Sequence, residues 1–308
     1  MKTFPSSSRS TTAFWNAIRG RSYDKADLDE RGSGDGSFIL PSENSALFDE
    51  QIAKHNIFRQ IASVIQTNSY DTLIRALTPL NEATFVQMGG PIPEALSGQI
   101  AINVQSHKIA ELVRLSVDFV KDAGFDVPGA MAMEFGRSFG KAEEKACISG
   151  NGETEPFGVL HPEKGAETGV TVSSSNLIAY DDIVSLYFSL APEYRRTAVW
   201  LMSDETAFAL RKLKDSCGMP LWRHTDDSLF GRPVFTSPYM PGMATGTKPV
   251  LFGDFSFYWL MERGGAMIKI LREKYIVHDQ IGYIGSERID GRLVKREAVK
   301  VLEMAQEA

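Results

Sequence analysis

Hydrophobic positions divide the chain into stretches of different period. Val113, Leu115, Val117 and Phe119 alternate with Arg114, Ser116 and Asp118, the period-2 pattern of a half-buried strand covering Ile109 to Phe119. Past Pro128 the period lengthens. Met131, Phe135, Phe139, Ala142 and Ala146 follow at spacings of 4, 4, 3 and 4, which predicts one stripe of a helix running to about Ser149. Glu134, Lys141, Glu143 and Glu144 are expected opposite that stripe, and Gly150-Asn151-Gly152 ends the helix. The next block reads as an α/β unit. Tyr180 to Leu190 is helical, and the near-continuous apolar run Thr197 to Met202 predicts a strand buried on both faces. Ser203 or Asp204 caps a further helix to Ser216, with Gly218 just past its end. Strands are expected at Gly231 to Val234, Pro249 to Phe252 and Tyr258 to Met261. From Ile268 to Met304 the chain is mostly strand-like, with turns expected at Gly282, Gly285 and Asp290-Gly291.

The first third is less regular. Thr12 to Gly20 is a short helical candidate, followed by the joint Gly32 to Ser37 and the block Phe38-Ile39-Leu40-Pro41. Ser42 is placed to cap a helix over Glu43 to Asn56. Residues 67–107 hold Pro79, Pro91 and Pro93 with Gly89, Gly90 and Gly98, which discourages helix and predicts two extended arms joined by irregular turns. An isolated two-stranded hairpin is marginal in water. Arms of roughly 15–18 residues reach about 50–60 Å at ~3.3 Å per residue, so this hairpin is expected to lie on a neighbouring molecule.

Composition removes several function classes. Among 308 residues, 43% are hydrophobic and 23% charged, which is ordinary for a soluble globular protein. No run approaches the ~18 apolar residues of a membrane helix. Cys147 and Cys217 are the only cysteines, so neither a disulfide framework nor a cysteine-rich zinc site is expected. The net charge is −6, yet residues 1–25 carry Lys2, Arg9, Arg19, Arg21 and Lys25 against Asp24 alone. Such a basic leader suits either contact with nucleic acid or a solvated tail. The Gly32-Ser-Gly34-Asp-Gly36 run follows charged residues instead of a buried strand, so it reads as a linker and not a phosphate loop. His55, His107, His161, His224 and His278 are scattered without metal spacing. No catalytic residue, metal or cofactor is expected, and Cys147 reads as packing.

The ordered blocks carry a resemblance. Phe38-Ile39-Leu40-Pro41, the strand Ile109 to Phe119, the long helix ending Ile148-Ser149-Gly150-Asn151-Gly152, and Pro156-Phe157-Gly158-Val159-Leu160 come first. Ala198 to Ser203, Leu229-Phe230-Gly231-Arg232-Pro233-Val234 and Phe252-Gly253-Asp254-Phe255 follow. In this order they resemble the major capsid proteins of tailed bacteriophages, the Hong Kong 97-type fold shared with encapsulin shells, over residues 38–304. The resemblance implies an α+β fold. Its parts are an N-terminal arm (1–42), an extended E-loop (67–107), a peripheral domain (43–66, 108–175 and 263–292) and an axial domain (176–262 and 293–304). The spine helix falls at 128–149, with Met131, Phe135, Phe139, Ala142 and Ala146 toward the core. The implied function is structural: self-assembly into pentamers and hexamers of an icosahedral virion shell around double-stranded DNA, after synthesis in the bacterial cytoplasm. Arg9, Arg19, Arg21 and Lys25 would face the DNA. Scaffolding, portal and cementing proteins are the implied partners, and no membrane is. Many members carry a scaffolding segment ahead of the arm. Here Met1 lies within 40 residues of the arm's end, so a separate scaffold or a truncated form is expected. Some members weld neighbours by an isopeptide bond from a hairpin Lys. Residues 67–107 contain no Lys, and Arg75 is no useful nucleophile, so a non-covalent shell is expected. An encapsulin-type or gene-transfer particle is the alternative, and a metabolic α/β enzyme centred on 176–262 is the rival from another class.

Overall fold

The computed structural model describes residues 13, 16, 37–39, 42–67, 73–79, 97–103, 105–121, 127–173, 177–214, 219–220, 222 and 227–305. The first half runs β1 (Ser37–Ile39), α1 (Ser42–His55), α2 (Phe58–Ile61), β2 (Ser63–Thr67), β3 (Leu73–Pro79), β4 (Ser97–Asn103), β5 (His107–Ser116), α3 (Val117–Lys121) and α4 (Val127–Ser149). Then come β6 (Glu167–Val172), α5 (Tyr180–Ser189), α6 (Pro192–Arg195), β7 (Val199–Met202), α7 (Asp204–Arg211), β8 (Ser228–Leu229) and β9 (Arg232–Thr236). β10 (Val250–Gly253), β11 (Tyr258–Leu271), β12 (Gln280–Leu293) and β13 (Val299–Met304) complete the fold. Among the described residues no helix is long and apolar enough to cross a membrane.

Among the described residues three sheets form. One has the order β1-β11-β12-β5, with β2 also on β11. Because β12 lines one edge of β11, β1 and β2 share the other: β2 runs parallel to Trp259–Arg263 and β1 antiparallel to Met267–Lys269. Between these two contacts the register shifts, and Gly264 and Gly265 have φ of 75° and 71°, values that favour glycine. A second, mixed sheet has the order β6-β13-β10-β7-β9-β8. The third is β3 with β4 alone, Leu73 opposite Asn103 through Pro79 opposite Ser97. The chain crosses between the large sheets three times, from β5 to β6 by way of α4, from β10 to β11 and from β12 to β13. Ile148, Leu201, Leu251, Tyr258, Leu260 and Val301 pack in a shared core at that junction.

The structure redraws several sequence expectations. The alternation of β5 holds to Leu115, but Val117–Lys121 is a helical turn and Phe119 is exposed. The Ser116 hydroxyl accepts the Phe119 amide at 3.3 Å, a local bond that starts a helix at the expense of the ladder. Gly282, Gly285 and Asp290-Gly291 are not turns; all lie inside β12. Two of these glycines permit close approach. A Cβ on Gly285 would stand 2.8 Å from the Phe135 ring, and one on Gly291 2.4 Å from the Tyr258 hydroxyl. The helix expected to reach Ser216 ends at Arg211, and residues 215–218 lie outside the described residues. Sheet membership also departs from the expected boundaries. β6 (within 108–175) pairs with β13 in the six-stranded sheet, while Tyr258 to Glu262 belong to the five-stranded sheet because β11 is one continuous strand.

From Met131 onward the buried positions on α4 come as adjacent pairs every four residues, Met131-Ala132, Phe135-Gly136, Phe139-Gly140, Glu143-Glu144 and Cys147-Ile148, with Ala146 buried beside the last pair. Four residues overshoot one 3.6-residue turn by about 40°, so this face winds round the helix. Ala142 falls off the winding face and is exposed, whereas Glu143 and Glu144, expected on the polar side, are buried. At Gly136 a Cβ would meet the Phe48 carbonyl oxygen at 2.8 Å, and at Gly140 the Ile52 carbonyl oxygen at 3.0 Å, so α1 crosses α4 with backbones in contact. The returning chain then satisfies carbonyls left over at the end of α4. Val159 N–H donates to Cys147 O at 2.7 Å, Leu160 N–H to Ile148 O at 3.0 Å, and Gly158 N–H to Gly150 O at 3.0 Å.

Candidate functional site at the root of the extended hairpin

The β3–β4 hairpin leaves the body between β2 and β5, and both of its roots end on buried carboxylates. On the entering side, β2 is laid along β11 and the Gln66 side-chain amide donates to Glu262 at 3.4 Å. On the returning side, the Gln105 N–H donates to Asp290 at 2.8 Å, and the same carboxylate accepts the Gly291 N–H at 2.8 Å. Burial raises the Asp290 carboxyl above its ordinary range, outweighing these bonds and the attraction of His107 and Arg292.

Glu262 belongs to a larger charged junction between α4 and the five-stranded sheet. The Arg59 guanidinium on α2 is its centre. Its Nε and Nη2 donate to the two oxygens of Glu143 at 2.9 and 2.7 Å, its Nη1 donates to Glu262 at 2.9 Å, and Nη2 stands 3.6 Å from Glu287. The Asn56 side chain adds a donor to Glu143 at 2.9 Å. Next along α4, Glu144 accepts the Ile57 N–H at 2.9 Å and the Ser237 hydroxyl. The Glu143 and Glu287 side chains are fully buried, and Arg59 and Glu262 nearly so. Burial pushes Glu143 upward in spite of Arg59. It also pushes Glu262 upward, but hydrogen bonding with Glu287 and the pairing with Arg59 prevail and hold its carboxyl below the usual range. Bidentate Arg–carboxylate pairing is directional, so the junction fixes α2, α4 and β11 in one mutual orientation.

Nothing here resembles a reaction centre. Among the described residues no group of three or more His, Cys, Asp and Glu is arranged to hold a metal ion. Burial pushes the Cys147 thiol up to about 12, leaving it an inert packing residue. A cleft of about 410 Å³ beside α7 holds Arg211, but that cation is paired with Asp227 at 2.6 Å and lies over Trp222.

Of the residues singled out from sequence, Met131, Phe135, Phe139 and Ala146 are buried, at 4%, 2%, 1% and 5% exposure, while Ala142 is not. Arg9, Arg19, Arg21 and Lys25 lie outside the described residues, as does most of Thr12 to Gly20. Arg59, Glu143, Glu262, Glu287 and Asp290 were missed. Their signal was present in part: Glu143 continues the Phe135, Phe139 spacing of 4, and Glu262 directly follows the apolar run Tyr258 to Met261.

The model of the phage capsid family matches residues 36–304. The chain belongs to that family. Its fold is the Hong Kong 97-type α+β capsid fold, and it is a structural shell protein, located in the virion, that works by associating with copies of itself. A curated relative, the probable major capsid protein gp17 of Mycobacterium phage L5, is 24% identical over 244 residues, covering 72% of each chain. Among solved structures, the capsid of an empty GTA particle, computed with C5 symmetry, shares 27% identity at a TM-score of 0.67 and covers 94% of this chain and 98% of that one. The capsid chain of the native GTA particle gives 26% and 0.66, covering 90% of this chain and 95% of that one. A chain from Microbacterium phage Oxtober96 shares the fold at 17% identity and a TM-score of 0.59, covering 81% of this chain and 91% of that one.

Proposed function

We propose that this chain is the major capsid subunit of a tailed phage or prophage, assembling as pentamers and hexamers around double-stranded DNA. The observation that carries the reading is the β3–β4 hairpin, which among the described residues forms a two-stranded sheet of its own. In this reading the hairpin rests on a neighbouring subunit. The five-stranded sheet with α4 acts as the peripheral domain and spine, and the six-stranded sheet as the axial domain. Heterologous contacts of this type close into rings, and rings tile a shell. Exposed apolar residues support further contacts. Ile276 and Val277 crown the β11–β12 turn at 72% and 88% exposure, and Phe188 and Phe208 lie open on the helices beside the six-stranded sheet. Obligate interfaces of this kind bury over ~2,000 Å². The basic leader, with Arg9, Arg19, Arg21 and Lys25, faces the nucleic acid, and separate scaffolding, portal and cementing proteins complete the particle. With no hairpin Lys the shell is held non-covalently, so boiled particles should run as a single band near 34.1 kDa.

One observation favours a second reading. Both GTA capsids exceed 25% identity across at least 90% of this chain, so a gene-transfer particle with the same architecture is the alternative. Electron microscopy of the purified full chain at high concentration tests assembly. Rings of five and six or closed shells are expected. Dispersed single subunits at every concentration, with ligand-dependent turnover, would overturn the reading in favour of an α/β enzyme.

A further inference from the structure

The charged junction contains one more acid than its donors can satisfy. Arg59 faces Glu143, Glu262 and Glu287, so the group carries −2 if all three are ionised. Glu143 and Glu262 receive the guanidinium N–H donors, whereas neither oxygen of the fully buried Glu287 is offered one. A buried carboxylate without a donor is costly; a buried carboxylic acid brings its own. The register supplies the acceptor. Glu262 is opposite Ile289 on β12, so Glu287, two residues along, shares its face as a diagonal neighbour and lies within hydrogen-bonding reach.

The other groups facing this point give no relief. Glu143 looks in from α4, and Asp49 on α1 lies in the field of Glu262 and Arg59. Glu111 on β5 is opposite Gly285, on the same face and diagonal to Glu287, with one oxygen of its own unpartnered. His107 on β5 is opposite Ile289, diagonal to Glu287 from the other side, and stands 3.8 Å from Asp290; Arg59 is the single guanidinium among these groups. Glu287 also sits across from the irregular stretch of β11, since Arg263 pairs with Arg288 and Met267 with Ser286. Just before that stretch, Glu262 is the carboxylate that holds Gln66 of β2.

We propose that Glu287 is a proton-controlled latch: its neutral acid form, donating to Glu262, keeps the hairpin root β2 docked on β11, and its ionisation releases that root. Burial, followed by the repulsion of Glu143, raises the Glu287 carboxyl well above the ordinary range. For an acid raised on folding, the unfolded chain ionises first, so the contribution is complete in acid and is lost as pH rises toward the folded value.

The test is amide hydrogen exchange at residues 63–67 of the full chain as a function of pH, corrected for intrinsic rates, in wild type and Glu287→Gln. The amide keeps the shape and the donor but cannot ionise. In wild type the opening constant should increase with pH above the ordinary carboxyl range, by up to about tenfold per unit until the latch is ionised. Relative to wild type, Glu287→Gln should become progressively better protected. Parallel profiles in the two proteins would overturn the proposal. If the variant does not fold, infrared spectroscopy of wild type decides. A buried protonated-carboxyl band at neutral pH, vanishing as protection at 63–67 falls, supports the latch. Its absence, or its persistence while protection falls, rejects it.

Discussion

Around Trp200 the six-stranded sheet is held by stacked rings. Phe252 lies 4.1 Å from Trp200 at 28°, Tyr187 lies 5.3 Å from Phe252 at 29°, and the indole N–H donates to Leu229 O at 3.0 Å. Under the five-stranded sheet the burial is as deep, but beside the apolar cluster of Phe48, Ile52, Phe135, Phe139 and Tyr283 lie the buried charges of Arg59, Glu143, Glu262 and Glu287. The difference is one of tolerance. Apolar contact is non-directional and indifferent to pH, so it supplies stability. A buried ion network repays its desolvation only in good geometry, so it is weak evidence for stability and fixes orientation instead. In this molecule the fixed elements are the long helix α4, the strand β11 and the hairpin root β2. The network therefore lies where the body meets its extended arm.

Breaking the apolar side should give the largest effect. Trp200→Ala is expected to cost toward the upper end of ~3–5 kcal/mol in urea unfolding, because a fully buried indole stacked on Phe252 leaves a cavity and strands the Leu229 carbonyl. That cost should be the same at pH 5 and pH 8. Arg59→Met is expected to cost about 3 kcal/mol near neutral pH, since Glu143 and Glu262 lose their counterion. Without it their folded-state affinity for protons rises, so the deficit against wild type should shrink as the pH falls. A pH-independent deficit for Arg59→Met would erase the contrast between the two regions.

Most of the architecture was legible because it follows from period. The α4 stripe, the β5 alternation and the β7 apolar run each produced the expected element, and the ordered blocks indicated the family. The charged junction was not legible, for a physical reason. Its residues come from α2, α4, β11 and β12, with 203 positions separating Arg59 from Glu262, and a charge reads as a surface residue until its partner is known. The β12 glycines misled in a similar way. Glycine marks a turn or a close approach equally well, and only the Phe135 ring against Gly285 and the Tyr258 hydroxyl against Gly291 separate the two. Ala142 failed through geometry: a spacing of 4, 4, 3 and 4 assumes a straight stripe, whereas the buried face of α4 winds.

A smaller effect is expected where a single local bond is removed beside the apolar region. Ser203 caps α7, its hydroxyl accepting the Thr206 N–H at 3.2 Å. Ser203→Ala should cost about 1 kcal/mol, measured by chemical unfolding, with no dependence on pH. A loss as large as that of Arg59→Met would mean that α7 holds more of the sheet than its eight residues suggest.

The smallest effect sharpens the comparison within one helix. α4 carries a second acid–base pair, Glu134 with Arg137 at 2.8 Å, but both side chains are half exposed. Water already solvates these charges, so the pair gains little on folding and salt screens what it gains. Glu134→Gln should therefore change stability by less than ~0.5 kcal/mol, and raising the salt to about 1 M, where the screening length falls to ~3 Å, should remove even that. The single contact of this pair, at 2.8 Å, is as short as the 2.7 Å contact within the bidentate pair of Arg59 with Glu143, so the shortest nitrogen–oxygen distance is held nearly constant while burial changes. Measured by urea unfolding at low and high salt, Glu134→Gln and Arg59→Met thus separate the contribution of the contact from that of its surroundings. Equal costs would show that distance alone sets the energy and that the buried junction has no special role. A large gap, with only the Arg59→Met deficit surviving high salt, places the effect in the desolvated carboxylates at the hairpin root.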